Sequence, residues 1–384
     1  MSRIRVGVLF GGRSGEHEVS LRSAASVMAA IDKSRFEIVP IGITKEGRWL
    51  SAGAAEHLLA GKAPDTAQDQ ALLATGSGVV APPEPVAADR KAITPFQTGD
   101  ATRSERAIGV DVIFPVLHGT FGEDGTIQGL LDLADIPYVG AGVLGSAAGM
   151  DKDVMKALFR AAGLPIVKHI TILRSEWEAE PKKVRKRVSS ALRYPVFVKP
   201  ANLGSSVGVS KAHGPDELGA AIDEAARYDR KIVIEQGVGG RKNKAREIEC
   251  AVLGNDAPEV SVPGEIIPGK EFYDYAAKYL EDTSQLIIPA RLTKGETRKL
   301  QELALRVFKA VDGSGLARVD FLMDPKTRRI YVNEINTMPG FTSISMYPKL
   351  WEASGVPYPR LIERLIELGL ERYRDRKRNQ YSRH

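Results

Sequence analysis

Cysteine is nearly missing from this 384-residue chain: Cys250 stands alone, so no disulfide can form within it. Cys250 sits in an apolar run, IECAVL, and reads as a small buried hydrophobe. No apolar run approaches the length of a membrane span. The short one at the start, MSRIRVGVLFGG, stops at glycines with no cleavage-site pattern, so it reads as a first strand and not as a signal peptide. These features favour the cytoplasm. Aromatic residues are sparse, at 7%, and none interleave a basic stripe, which removes the usual sign of a single-strand nucleic-acid platform. There is no zinc-ligand spacing and no Walker A sequence, and the glycines of Gly11-Gly12-Arg13-Ser14-Gly15 do not fit a dinucleotide fingerprint.

Excess charge is modest and mostly local. The net charge is +6, and Glu371–His384 supplies six Lys/Arg against two acids. That leaves little elsewhere to attract a polyanion, and the tail reads as the solvated, frayed end of a last helix. At 43% hydrophobic and 27% charged residues, the remainder suits a globular chain of two or three domains.

The most informative stretch is Ala317–Ser345. Two alternating runs, Ala317–Met323 and Ile330–Asn336, flank the turn residues Asp324-Pro325-Lys326-Thr327, which predicts a β-hairpin. Alternation places Arg318 and Asp320 on one face of the first strand and Glu334 and Asn336 on one face of the second. Asp320 then falls opposite Glu334, where two carboxylates repel unless a cation intervenes. Oxygen ligands of this kind suit Mg²⁺, which completes its shell with water and phosphate oxygens. The plainer alternative is a solvated face whose acids pair with Arg318 and Arg329.

Before this hairpin the chain reads as α/β. Strands at 4–10 and 36–43 flank a helix from about Glu18 to Ile31, and Glu16 reads as a cap residue at its start. Residues 51–107 read as a loosely organised insertion. DVIFPVLHG leads into the loop GTFGEDG, a helix at about 125–135 and a short strand, PYVG, with His118 at a strand's carboxyl end. A helix opened by Met150-Asp151-Lys152 and a strand VFVKP ending near Lys199 precede Gly204-Ser205-Ser206-Val207-Gly208, a glycine–hydroxyl loop of the kind that cradles phosphate. The strand KIVIEQ ends in Glu235, Gln236, Gly237 and Val238. Residues 271–285, rich in Tyr and charge, read as a lid with Lys278 and Tyr279 as its reactive-looking side chains. Domain limits fall at 1–140, 141–238 and 239–384.

In this order, GGRSGEHEVS, LHGTFGEDGTIQG, MDK, VFVKPANLGSSVGVSK, FYDYAAKY, ARVDF and NEINTMPGFTSIS resemble the D-alanine–D-alanine ligases of the ATP-grasp superfamily. The resemblance runs almost end to end, and is weakest over 51–107 and the tail. It implies an ATP-grasp fold with an N-terminal open parallel sheet, and ATP gripped between the central and carboxy-terminal parts. It implies two Mg²⁺ ions, replaceable by Mn²⁺, on Asp320, Glu334 and Asn336, with K⁺ as a looser expectation. Lys152, Lys199, Ser205, Ser206 and Lys278 would meet the phosphates, Glu235, Gln236 and Val238 would frame the adenine, and Glu247 would hold the ribose. Glu16 would bind the first D-alanine's ammonium, against its reading as a cap, and join Ser205 and Tyr279 in closing the lid. His118 would sit near that substrate. Ser345 with Met346 would take the second D-alanine's carboxylate, and Arg318 and the Gly340 N–H would stabilise an oxyanion. A homodimer is a further family expectation. The competing expectations are a D-alanine–D-lactate ligase, another carboxylate–amine ligase, or an inactive nucleotide-binding regulator.

Overall fold

The structure is a computed structural model that describes residues 3–61, 78–80, 92–96, 108–240, 244–267 and 285–380. Lys278 and Tyr279, with the rest of the expected lid, lie outside the described residues.

The first sheet is built from β1 (Ile4–Gly11), β2 (Phe36–Ile43) and β3 (Trp49–Ser51), with three short strands following in the insertion, β4 (Gly78–Val80), β5 (Ala92–Phe96) and β6 (Ile108–Gly109), and then β7 (Val112–Pro115). Strands β3-β2-β1-β7 form one sheet, parallel at both β1 pairings, and β4-β5-β6 form a small separate one. The near-continuous apolar run of β1 is what a parallel strand covered on both faces requires, and Val6 to Phe10 are all buried. Helix His17–Ala30 crosses from β1 to β2 and loads Val19, Leu21, Ala24 and Val27 onto the sheet. The expected PYVG strand is reduced to one bridge, Ile113 to Tyr138, because only Val139 continues the backbone pairing before the glycine at 140 turns away.

The central sheet runs β10-β9-β11-β8, from β8 (His169–Leu173), β9 (Val196–Pro200), β10 (Ser210–Ala212) and β11 (Lys231–Gln236). Helices Pro181–Ala191 and Pro215–Ala226 cover it, each begun by a proline, whose fixed φ suits a first helical turn. Its core draws on residues between Ile172 and Ile234 alone.

The third sheet has the order β15-β14-β12-β16-β17, with β13 also on β12. Its strands are β12 (Arg246–Gly254), β13 (Glu259–Val260), β14 (Gly264–Ile267), β15 (Gln285–Ile287), β16 (Gly315–Met323) and β17 (Ile330–Asn336). Helix Lys294–Ala310 packs on one face through Leu300, Leu303, Val307 and Phe308, joined by Met155 and Phe159 of helix Lys152–Ala161. On the other face lies a core shared with the first sheet, in which Val6, Phe10 and Phe114 join Ala251, Leu316, Phe341 and Leu361. Phe341 sits at its centre, with ring centroids 5.7 Å from Phe114, 5.8 Å from Tyr347 and 5.7 Å from Tyr358.

The tail departs from its sequence reading. The last helix runs Tyr358–Arg376, and its basic end is not simply solvated. The Arg372 guanidinium lies 4.2 Å from the Tyr138 ring centre, Arg376 pairs with Asp132, and Lys377 reaches Asp135 at 2.7 Å. Gly369 permits this docking, since a Cβ there would come within 2.8 Å of the Tyr138 carbonyl oxygen. No helix among the described residues is long and apolar enough to cross a membrane.

Candidate active site

The expected hairpin forms as read. Strands β16 and β17 pair antiparallel with Asp320 opposite Glu334 and Arg318 opposite Asn336, and the register shifts just after Asp320. The neighbouring strand adds a third acid, because Glu249 pairs with Asp320. A row of three carboxylates therefore crosses β12, β16 and β17. Arg318 meets part of that charge: it binds Asp320 through two N–H···O bonds of 2.7 Å and lies 3.0 Å from Glu249. The Arg318 half of the plainer alternative thus holds.

Two cavities meet at this row. One, of about 560 Å³, is lined by Glu16, Glu123, Arg318, Asn336, Gly340, Ser345 and Met346, among others. The other, of about 400 Å³, is lined by Lys199, Ser206, Glu235, Gln236, Val238, Glu247 and Asp320, among others. Lys152, Gly204, Ser205, Glu249 and Glu334 face both. Of the residues expected at the amino acids, Glu16, Arg318, Gly340, Ser345 and Met346 line the first chamber; of those expected at the nucleotide, Lys199, Ser206, Glu235, Gln236, Val238 and Glu247 line the second.

The glycine–hydroxyl loop roofs the junction. Ser205 and Ser206 have φ of 49° and 59°, a left-handed conformation that non-glycine residues adopt at a cost and that gathers at ligand-binding loops. The Ser205 hydroxyl donates to Glu16 Oε1. Gly204 lies close against the same carboxylate: a Cβ there would stand 2.9 Å from Glu16 Oε2, and Glu16 would have to shift. Glu16 occupies the N-cap position of its helix but makes no side-chain cap bond. Its carboxylate turns to the cavity, contrary to its reading as a cap. Behind the loop, Lys152 Nζ donates to the Leu203 carbonyl at 2.7 Å, and burial holds its pKa below the usual lysine range.

Beside Glu16 stands Glu123, to which the sequence reading gave no role. It is 7% exposed, accepts from the Gly119 N–H at 2.9 Å through Oε1, and leaves Oε2 without a hydrogen-bond partner. Burial, with Glu16 nearby, pushes its carboxyl up to about 8. Glu249 was likewise given no role from sequence, although its alternation with Glu247 on one strand could have pointed to it. Glu123, in GTFGEDG, had no local signal beyond its acidity.

His118 faces neither cavity among the residues that line them. Its Nδ1 is 3.0 Å from the Met338 carbonyl oxygen and its Nε2 3.0 Å from Ser23 Oγ. Burial lowers its pKa, so it acts as a neutral brace for the Met338–Phe341 turn. Ser23 Oγ also accepts from the Phe341 N–H at 3.3 Å. Ser345 precedes helix Met346–Ala353, with its hydroxyl 2.7 Å from that of Thr342. Ser345, Met346 and Lys349, at the start of that helix, line the first cavity, and a helix N-terminus is a standard seat for a carboxylate.

In the second chamber Glu235 is held between two lysines, Lys156 and Lys199, each 2.9 Å away. Burial alone would raise its pKa, but the two cations outweigh it and bring it to about 2. Lys199 itself is held above the ordinary range by Glu235 against the opposing effect of burial.

Hard oxygen donors facing a pocket with buried cations suit a divalent ion carried by a polyphosphate. Among the described residues no three His, Cys, Asp or Glu side chains form a ready-made cage.

Comparison with known proteins identifies the family. The N-terminal and C-terminal family models of D-ala D-ala ligase match residues 5–141 and 158–367. A D-alanine–D-alanine ligase of Heliobacterium modesticaldum is 50% identical over 99% of this chain and 98% of its own. One from Caldicellulosiruptor bescii is 50% identical over 100% and 99%. Among solved structures, the ligase of Coxiella burnetii superposes with a TM-score of 0.80 at 37% identity, covering 98% of this chain and 97% of that one. A D-Ala:D-Ser ligase from Enterococcus faecalis also gives 0.80, at 36% identity over 96% and 100%. With its ATP-grasp fold and both family models matched, this chain belongs to the D-alanine–D-alanine ligase family and is an ADP-forming ligase that joins two D-alanines for peptidoglycan.

Proposed function

We propose that the two chambers divide the reaction between them, with ATP in the one lined by Lys199 and Glu247 and the two amino acids in the one lined by Glu16 and Ser345. The observation that carries this division is that Ser205, Lys152 and Glu334 face both chambers, so the γ-phosphate and the first carboxylate meet there.

In this reading Glu16 pairs with the first D-alanine's ammonium and turns its carboxylate to the junction. A carboxylate oxygen attacks the γ-phosphorus, the bond to the β-phosphate oxygen breaks, and ADP leaves an acyl phosphate. Such transfer asks for placement and charge neutralisation rather than protein nucleophiles. Lys152 and Lys199 supply positive charge, with Lys278 as a further contact, and Ser205 and Ser206 fold over the phosphates. Asp320, Glu334 and Asn336 would hold Mg²⁺, whose chemistry when bound is to neutralise the triphosphate.

The second D-alanine's carboxylate rests on Ser345 and the N–H of Met346. Its amine adds to the acyl carbon, and the carbonyl oxygen becomes an oxyanion that receives hydrogen bonds from Arg318 and the Gly340 N–H. The nitrogen gives up a proton to the departing phosphate as the carbon–oxygen bond breaks, and the peptide is left. Loss of one such donor typically costs about 3–4 kcal/mol. Gln236, Val238 and Glu235 frame the adenine, Glu247 holds the ribose, and Tyr279 closes on Ser205 and Glu16. His118 serves the substrate side through the turn it braces.

The roles divide the chain into a substrate part (1–140), a flap part (141–238) and a metal and lid part (239–384). A cytoplasmic homodimer, Mn²⁺ in place of Mg²⁺, and activation by K⁺ belong to the same proposal, on family likeness. The test is ADP release with Mg²⁺ across D-alanine, D-serine, D-lactate and L-amino acids. Release with D-alanine alone supports the assignment. Release that needs D-lactate or an unrelated acid overturns it.

A further inference from the structure

One buried cation has no part in the scheme above. Lys156 is fully buried, one helical turn beyond Lys152, and lines neither chamber. Its Nζ lies 2.9 Å from Glu235 Oε1 and donates to the Asn333 carbonyl at 3.2 Å. Glu235 Oε2 accepts from Lys199 Nζ at 2.9 Å. One ammonium thus joins helix Lys152–Ala161 to β11 and β17, the strands that carry Glu235 and Glu334.

Its charge matters more than its bonds. A carboxylate facing one lysine at contact distance cancels it, and a cancelled Lys199 offers a triphosphate little. With Lys156 present, the Lys156–Glu235–Lys199 set carries one net positive charge, and Lys199 is its only member with notable exposure, 14% against 0% and 3%. The surplus therefore faces the nucleotide chamber. A solely structural link could have been apolar, since buried ion pairs are seldom more stabilising than well-packed hydrophobic residues.

We propose that Lys156 is a positioning residue for nucleotide binding: by neutralising Glu235 from behind, it leaves Lys199 free to give its charge to the phosphates of ATP. The proposal rests on the assignment of Lys199 to the nucleotide, so Lys199→Met is measured alongside. ATP affinity is titrated on the full chain with Mg²⁺, and KM for ATP and for D-alanine is taken from ADP release. Lys199→Met should weaken ATP binding, and if it does not, the underlying assignment falls. Lys156→Met should weaken ATP binding about ten- to a hundredfold, the worth of one charge-assisted hydrogen bond, with KM for D-alanine little changed. Lys156→Arg should retain most of the affinity.

The deciding comparison is a cycle. Glu235→Gln alone sets the cost of that residue's own part in framing the adenine, and adding Lys156→Met to it should weaken ATP binding at most a few-fold further, because no carboxylate remains to cancel Lys199. A Lys156→Met that costs as much beside Glu235→Gln as it does in the parent, or a Lys156→Met that binds ATP normally, overturns the proposal while leaving Lys199 in place. Should Lys156→Met fail to fold, the double variant decides against Glu235→Gln. If it folds and binds ATP within a few-fold of Glu235→Gln the proposal stands; if it binds far more weakly, or does not fold, the pair serves stability and the proposal is overturned.

Discussion

Asp320 sits at the middle of three adjacent carboxylates and shares Arg318 with Glu249, which makes it the residue that best tests the proposed metal site. Asp320→Ala should abolish ADP release by removing a metal oxygen and freeing the guanidinium, and turnover near the parent's would remove Asp320 from the metal site. Glu123 gives a second expectation. Its carboxyl is raised to about 8 in the folded chain against an ordinary 4.5, so the folded state holds a proton that the unfolded state releases. That stabilisation is complete below about 4.5 and is lost as pH rises through about 8. Ligand-free protein should therefore lose stability over this window, and Glu123→Gln should flatten the decline. Equal slopes for the two proteins in thermal melts across pH 5–8 would refute it. The facing of Asp320 with Glu334, and of Arg318 with Asn336, was legible because strand alternation and the turn fix it from local sequence. Lys156 and Glu123 were not, since their meaning depends on which distant groups approach them.

At the scale of elements, helix Lys294–Ala310 and the hairpin share one acid. Thr293 and Glu296 form a capping box, and Glu296 also binds Arg328, in the turn between β16 and β17, through bonds of 2.7 and 2.8 Å. Arg328 first, then the Thr293 N–H, bring Glu296 to about 2. Thr293→Ala should cost about 1 kcal/mol, as for other caps, while Glu296→Ala should cost more because it loses both the cap and the turn. Denaturant midpoints measure both, and equal losses would mean the Arg328 bonds contribute nothing. Most elements were readable: turn residues, prolines and periodicity gave β1, β2, β9, β11, the hairpin and the long helices. The expected PYVG strand shrank to a bridge, and helices Val143–Met150 and Arg174–Ala179 went unread, being too short for a clear period.

At the scale of the molecule, nothing local announces that the first and third sheets share a core, or that the basic tail clasps Asp132 and Asp135. The partners lie more than two hundred residues apart in sequence. The tail's charge is visible in the sequence; its acidic counterpart is visible only when folded. The central sheet, by contrast, keeps its own core, so the chain holds two separately packed masses with the nucleotide chamber between them. Each can melt on its own schedule, as domains with independent cores do. Calorimetry without nucleotide should show two heat-absorption peaks. Saturating ATP analogue with Mg²⁺ stabilises only the state in which both masses are folded, and should draw the peaks into one. In that sense the cosubstrate is also a rivet, added to the Lys156–Glu235 and Ser205–Glu16 contacts that already cross the cleft, and two peaks that persist at saturation would show that the nucleotide does not couple the halves.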